Sequence, residues 1–344
     1  MKIRVLLVDD SGFMRIVLSD IINSSQDIEV IDTAENGKEA TEKTKLLRPD
    51  VVLLDLTMKD FDGLYAVKRI MDEFPTPIVI LSSRGNTYPD AYVDAMGAGA
   101  LDFLNKPAGL ANSKIRDIDH QIFSKIRAAA QVDVKNLVRK QIIKNSNSHT
   151  FETILPYDVI VIGASTGGTG AIEQILTKLP SNIPVPVVIA QHMPAEFVNS
   201  FAARLNELIP LEVKVAEVNE YLKRGTIYIA PGNINIKLKK AATGVKITLT
   251  ETVYPEFNNP SVDALLESAA EVYGQKALGI ILTGMGKDGA VGMEKMYKNG
   301  AYTIGQDEKT SVVYGMPKAV FDLGVVKKQL PIHEMATFIV SALS

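Results

Sequence analysis

Short apolar runs recur along the chain, each stopped by a polar residue and followed by apolar positions at helical spacing. Ile3 to Val8 is the first run and ends in Asp9-Asp10; Phe13, Ile16, Val17 and Ile21 then mark one face of a helix. The cycle repeats with Ile28 to Thr33, with Val51 to Leu54 stopped by Asp55, and with Ile78 to Leu81 stopped by Ser82-Ser83. It closes with Ala100 to Leu104, just before Lys106-Pro107. Helical spacing between these runs falls at Ala40 with Leu46-Leu47, at Ala66, Val67 and Ile70, and over Ala91 to Met96. Strands alternating with helices predict a doubly wound, five-stranded parallel sheet over this part of the chain.

Past Ile115, Ile118, Ile122 and Ile126, which form one more helical stripe, the pattern turns polar and basic. Lys135, Arg139, Lys140 and Lys144 lead into the turn-rich Asn145-Ser-Asn-Ser148, a partly helical linker. The predicted organisation is therefore 1–127 as one domain, 128–155 as linker and 156–344 as a second domain.

In the second domain Val159 to Ile162, Val185 to Ala190 and Ala277 to Leu282 are continuous apolar runs, as expected of strands buried on both faces. Leu211 to Val218, Thr226 to Ala230 and Ala301 to Ile304 also read as extended. Ile234 to Leu238 and Val245 to Thr250 alternate about a turn and predict an antiparallel β-hairpin. Helices are predicted over Ala171 to Leu179, over Phe197 to Leu208, from Pro260 onward, around Val291 and Met296, over Met316 to Leu323 and over Ile332 to Leu343. The fold class is α/β in both halves, with the hairpin inserted into the second.

Length fits two domains: single cores stop growing near roughly 250–300 residues, and the chain has 344. A net charge of −3 and a pI of about 5.9 argue against a general nucleic-acid binder. No apolar run approaches the roughly 18 residues of a membrane span, so no membrane insertion and a cytoplasmic location are expected. The absence of cysteine removes thiolate nucleophiles and cysteine-ligated metal sites.

Candidate chemistry lies at the strand ends. Asp9, Asp10, Asp55, Ser82 and Lys106 all close strands of the first domain, and in an open α/β sheet those ends share the ligand-binding edge. Three carboxylates there repel one another and suit a hard cation such as Mg²⁺. Lys106 and the Ser82 hydroxyl are placed to contact an anion beside Asp55.

In the second domain Gly163-Ala-Ser165-Thr-Gly167 sits between a buried strand and a helix. It matches the G-x-S-x-G nucleophile elbow, yet a dinucleotide-binding loop or a plain packing turn would share this layout. The dinucleotide fit is poorer, because the middle glycine is Ser165 and the next strand ends in Gln191-His192 rather than an acid. A serine nucleophile needs a base, and the base needs an acid to orient it. Of four histidines, His120 falls on the isoleucine-stripe helix, His149 in the linker and His333 at the start of the last helix, so His192 is the candidate base. Asp288, in Thr283-Gly-Met-Gly-Lys-Asp-Gly289, closes a third buried strand and is the candidate acid.

Residues 1–127 resemble the receiver domain of two-component response regulators, which implies a flavodoxin-like fold. The resemblance places the family's acid pair on Asp9 and Asp10, its phospho-accepting aspartate on Asp55, and its switch residues on Ser82, Phe103 and Lys106. It implies Mg²⁺ bound by Asp9, Asp10 and Asp55, a sensor histidine kinase as phosphodonor, and a cis Lys106–Pro107 peptide. Residues 156–344 resemble the catalytic domain of the CheB family of chemotaxis protein-glutamate methylesterases. The shared motifs are Ile162-Gly-Ala-Ser-Thr-Gly-Gly168, Gln191-His-Met-Pro194, Phe201-Ala-Ala-Arg-Leu205, Tyr228-Ile-Ala-Pro-Gly232, Pro260-Ser-Val-Asp263, Leu282-Thr-Gly-Met-Gly286 and Tyr314-Gly-Met-Pro317. Asn258-Asn259 depart from the basic or His-containing pair that many members carry there.

The resemblance implies hydrolysis of glutamate γ-methyl esters, and deamidation of certain glutamines, on chemoreceptor helices. Ser165 would then be the nucleophile, His192 the base and Asp288 the orienting acid. Backbone N–H groups of Thr166 and Met285 would bind the oxyanion, with no cofactor at this site. The receiver would cover the site until Asp55 is phosphorylated. A transcription factor, a nucleotide-dependent oxidoreductase and a phospho-switched binding module are the competing classes. The long α/β output and acidic pI speak against the first.

Overall fold

A computed structural model describes residues 1–59, 63–82, 89–106, 115–132, 157–254 and 260–343. The chain divides into two compact units, Met1–Lys144 and Asn145–Ser344.

The first unit runs β1 (Ile3–Val8), α1 (Gly12–Asn23), β2 (Ile28–Ala34), α2 (Gly37–Leu47) and β3 (Val51–Asp55). It continues with α3 (Gly63–Glu73), β4 (Ile78–Ser82), α4 (Pro89–Gly97), β5 (Asp102–Asn105) and α5 (Ile115–Ala130). The five strands lie in the order β2-β1-β3-β4-β5 and every pair is parallel. All five residues of β3 are buried, as a central strand with helices on both faces requires. Capping starts two helices: the Ser11 hydroxyl accepts from the Met14 N–H and the Asn36 carbonyl oxygen from the Glu39 N–H. Ile122 and Ile126 are buried, so this end of the isoleucine stripe packs α5 on the sheet. Strand order reverses between β1 and β3, which places Asp9 and Asp55 side by side at the switch point.

The second unit holds β6 (Val159–Ala164), α6 (Gly168–Leu176), β7 (Val187–Gln191), α7 (Ala195–Leu208), β8 (Glu212–Val215) and β9 (Thr226–Ile229). The hairpin β10 (Asn235–Ala241) and β11 (Gly244–Thr250) follows, then α8 (Val262–Tyr273), β12 (Ala277–Ile281), α9 (Ala290–Lys298) and β13 (Tyr302–Gln306). The chain closes with α10 (Met316–Asp322), β14 (Lys328–Leu330) and α11 (Ile332–Leu343). Seven parallel strands take the order β14-β13-β12-β6-β7-β9-β8, and the hairpin pairs antiparallel from Asn235↔Thr250 to Ala241↔Gly244.

Strand β14 is not foreseen by the apolar pattern. It is three residues at a sheet edge, and only Leu330 is buried. The core of this unit gathers Val161, Val188, Tyr228, Leu265, Met293 and Met316 between the sheet and its helices. Among the described residues no helix is long and apolar enough to cross a membrane.

Candidate active site

Register places the candidate residues of the second unit. Ala164 pairs with Gln191 between β6 and β7, and Gly163 pairs with Ile281 between β6 and β12. The ladder continues one step past each strand. Ser165 N–H donates to the Thr283 carbonyl at 3.1 Å, and His192 N–H donates to the Ala164 carbonyl at 3.0 Å. Ser165, His192 and Thr283 thus leave three adjacent central strands at one carboxyl edge.

The turn that carries Ser165 is shaped by close approach. Gly167 sits at φ 74°, in the left-handed region that glycine enters without strain, and is the N-cap of α6. A Cβ on Gly163 would lie 2.2 Å from Val262 Cγ1, so β6 packs directly on the start of α8. A Cβ on Gly284 would lie 2.8 Å from Ser165 Cβ. Glycine at 284 therefore lets the β12 loop press against the serine. The Thr283 hydroxyl, fully buried, donates to the Thr166 carbonyl at 2.9 Å and accepts the Val313 N–H at 2.9 Å.

His192 and Asp288 meet directly: Nε2 lies 2.7 Å from Oδ2. Asp288 is 1% exposed and also receives the Val262 N–H at 2.7 Å, the Asp263 N–H at 2.9 Å and the Ser261 hydroxyl at 3.1 Å. It sits at the N-terminus of α8, where free N–H groups and the helix dipole favour an anion. Burial alone would raise its pKa; the His192 ring and the Asp263 and Val262 N–H groups outweigh that and hold the carboxyl below its usual range.

The Ser165 hydroxyl makes no hydrogen bond among the described residues, so the serine–histidine link expected from the sequence is open here. Catalytic hydrogen bonds often tighten only on substrate binding. Met285 N–H, one of the two expected oxyanion donors, has no acceptor among the described residues. Thr166 lies on the elbow, buried, with its carbonyl taken by Thr283.

Several contributors carry no role in the sequence reading. Ser261 caps α8 by accepting the Ala264 N–H and also bonds Asp288. Asp263 is 3% exposed and accepts the Gly292 N–H at 2.7 Å. Burial, and then the neighbouring Asp288 charge, push its pKa up to about 7. Pro260-Ser-Val-Asp263 is legible as a helix start, but its reach to Asp288 is set by the packing of α8 on β6. His120 on α5 is exposed and His149 lies outside the described residues, as do Asn258 and Asn259.

In the first unit Asp9, Asp10 and Asp55 bring one oxygen each within 4.8 Å of one another. Lys106 Nζ donates to Asp55 Oδ2 at 2.6 Å and lies 2.7 Å from Asp9 Oδ2. The second contact is an ion pair without hydrogen-bond geometry, so Asp9 Oδ2 is buried with no hydrogen-bond donor among the described residues. Burial pushes the Asp55 carboxyl up, against the pull of Lys106. Burial pushes Lys106 down, but Asp55 and Asp9 outweigh it and hold the ammonium above its usual range. Among the described residues three carboxylates face one ammonium, which leaves about two negative charges unmatched, a donor set that fits a hard dication. Phe103 is half-buried beneath Lys125 Nζ, 4.7 Å from the ring centre. The Ser82 side chain and Pro107 lie outside the described residues.

Comparison with known proteins agrees in both units. The family model for the response regulator receiver domain matches residues 5–116, and that for CheB methylesterase matches residues 160–339. The protein-glutamate methylesterase/protein-glutamine glutaminase of Archaeoglobus fulgidus is 41% identical over 341 residues, covering 98% of this chain and 97% of that protein. Its namesake in Thermotoga maritima is 40% identical over 97% of this chain and 96% of its own. The crystal structure of the Thermotoga maritima CheB methylesterase catalytic domain is matched at TM-score 0.53 and 40% identity, over 54% of this chain and 99% of that one. The class is thus a response regulator whose output unit has an esterase fold. The chain belongs to the CheB methylesterase family.

Proposed function

We propose that this chain hydrolyses glutamate γ-methyl esters on the cytoplasmic helices of chemoreceptors, and deamidates certain glutamines there, under control of phosphorylation at Asp55. Family membership supports the reaction class. The observation that carries the site assignment is the 2.7 Å His192–Asp288 contact on the strand edge that carries Ser165.

In this reading Ser165 Oγ attacks the γ-carbonyl carbon and its proton passes to His192. The Oγ–C bond forms as the carbonyl becomes an oxyanion, which accepts from the Thr166 and Met285 N–H groups. Such preorganised donors contribute about 3–4 kcal/mol each. The tetrahedral centre collapses, the C–O bond to methoxide breaks, and His192 returns the proton so that methanol leaves. Water, deprotonated by His192, then attacks the acyl carbon; His192 returns that proton to Ser165 Oγ as the ester C–O bond breaks, and the freed glutamic acid loses its own proton to solvent. An amide substrate follows the same course with ammonia as leaving group. Asp288 stays ionised, holds the ring and stabilises the imidazolium.

In the receiver, Asp9, Asp10 and Asp55 would hold Mg²⁺, which offsets the charge gathered during phosphoryl transfer. Asp55 is the acceptor, Lys106 contacts the new phosphoryl group, and Ser82 and Phe103 are the switch pair. The phosphodonor is a histidine kinase of the chemotaxis class, and the location is the cytoplasm. Domain limits of 1–127 and 156–344, joined by a linker, suit a receiver that covers the esterase site until phosphorylated. A closed fraction of about 99% requires only ~2.7 kcal/mol.

The test is methanol release from a methylated chemoreceptor fragment by wild type and Ser165→Ala, with and without a small phosphodonor plus Mg²⁺. The reading predicts release that rises with phosphodonor and vanishes in Ser165→Ala. Release that survives Ser165→Ala would refute it.

A further inference from the structure

Gln191 closes β7 and is 3% exposed. Its Nε2 donates to the Ser165 carbonyl at 3.0 Å and to the His192 carbonyl at 3.0 Å. Two carbonyl acceptors decide the amide orientation, because the opposite flip would set Oε1 against both oxygens. Oε1 is consequently buried with no hydrogen-bond partner among the described residues. It lies against Gly168, where a Cβ would meet it at 2.1 Å. An unmatched buried acceptor opposes folding. Packing alone therefore does not account for a glutamine here; its two donors do.

What those donors hold follows from peptide geometry. The Ser165 carbonyl and the Thr166 N–H belong to one planar trans unit and point in opposite directions. Drawing the carbonyl toward Gln191 turns the Thr166 N–H to the far side of that peptide. Gly168 N–H adds a second bond to the same carbonyl at 2.7 Å, and Thr283 Oγ1 fixes the next carbonyl, that of Thr166, at 2.9 Å. The His192 carbonyl is tied to the same amide, so the strand ends carrying serine and histidine share one buried link across the β6–β7 register.

We propose that Gln191 is a positioning residue for ester hydrolysis: its amide holds the peptide that presents the Thr166 N–H and the backbone of His192 in fixed relation. The inference rests on the reading of Ser165 as nucleophile. Its effect falls on the transition state, since it sets the oxyanion donor and the base rather than a surface that grips substrate.

The experiment uses the full chain. Gln191→Met removes both donors at similar length. Its kcat for methanol release from a glutamate γ-methyl ester peptide should drop by about 10–100-fold, the scale of a small misplacement of catalytic groups. KM should stay within a factor of about three, because uniform binding is untouched. Affinity for a boronic acid analogue of the same peptide, which forms a tetrahedral adduct on the serine, should weaken by the same factor as kcat. Gln191→Asn, which keeps the amide but shortens its reach, should show the same split and serves where Gln191→Met does not fold. A folded variant with wild-type kcat, or with a loss confined to KM and unchanged boronate affinity, would overturn the proposal. Ser165→Ala run in parallel separates the two ideas: methanol release in that variant overturns the hydrolase reading itself.

Discussion

Asp288 meets His192 at Nε2 rather than Nδ1, with 2.7 Å between Nε2 and Oδ2. An ionised carboxylate only accepts, so the proton on this ring resides on Nε2 and Nδ1 is left as the basic nitrogen. Four hydrogen bonds converge on Asp288, three of them from Ser261, Val262 and Asp263 at the start of α8. The acid is thus anchored before it orients anything. Asp288→Asn keeps the shape but offers a donor where an acceptor is needed. It should lower kcat by roughly 10³–10⁴-fold, as loss of the correct tautomer does in other triads. Steady-state kinetics checks the rate, and ¹⁵N resonances of the His192 ring check the Nε2–H tautomer.

Asp263 makes folding stability depend on pH. Its pKa rises from 3.8 to about 7 on folding: burial and then the Asp288 charge raise it, against the opposing hydrogen bond from the Gly292 N–H. Between those values the unfolded chain has released a proton that the folded chain keeps. Stability from this group therefore falls as pH climbs from about 4 to 7 and is level above that. At about 1.4 kcal/mol per pH unit the span is of the order of 4 kcal/mol. Asp263→Asn keeps an acceptor for the Gly292 N–H and removes the titration. Denaturant unfolding of the pair at pH 5 and pH 8 should show the variant gaining relative stability at the higher pH. A constant difference would contradict it.

Gly284 has no room for a methyl group. A Cβ there would lie 2.3 Å from Met316 Sδ and 2.8 Å from Ser165 Cβ. Met316 is fully buried and has little freedom to yield. Gly284→Ala should cost about 1–3 kcal/mol in stability and, by displacing the serine, reduce kcat as well. Denaturant midpoints and kcat measured on the same preparation test both halves.

The acid pocket of the receiver gives a binding prediction that is independent of esterase activity. With Asp9, Asp10 and Asp55 facing a single Lys106, removing one carboxylate should weaken Mg²⁺ by tenfold or more. Asp9→Asn is expected to show this in isothermal titration calorimetry. Asp55→Asn should leave basal methanol release unchanged and abolish its increase with phosphodonor.

How much of this was legible follows from where each signal resides. Asp9, Asp55 and Lys106 each close a buried apolar run, and parallel strands bring such ends to one edge, so composition and order suffice to unite them. Ser165, His192 and Asp288 were reachable for the same reason, with few histidines to choose among. The ring nitrogen that faces Asp288 was not, because side-chain rotation leaves no trace in sequence. Gln191 and Ser261 were equally hidden. Their contacts depend on which backbone groups lie beside them, and that is decided by the β6–β7 register and by α8 packing on Gly163. Strand β14 escaped because three residues with a single buried apolar side chain carry no periodicity.

The most direct test of the central assignment is to trap the acyl-enzyme. Wild-type chain would be mixed with a glutamate γ-methyl ester peptide, quenched in acid during turnover, digested and mapped by mass spectrometry. The account predicts the peptide joined through its γ-carbonyl to Ser165, with one methanol released per adduct formed, and no adduct in Ser165→Ala. An adduct on another residue, or methanol released at wild-type rate by Ser165→Ala, would contradict it.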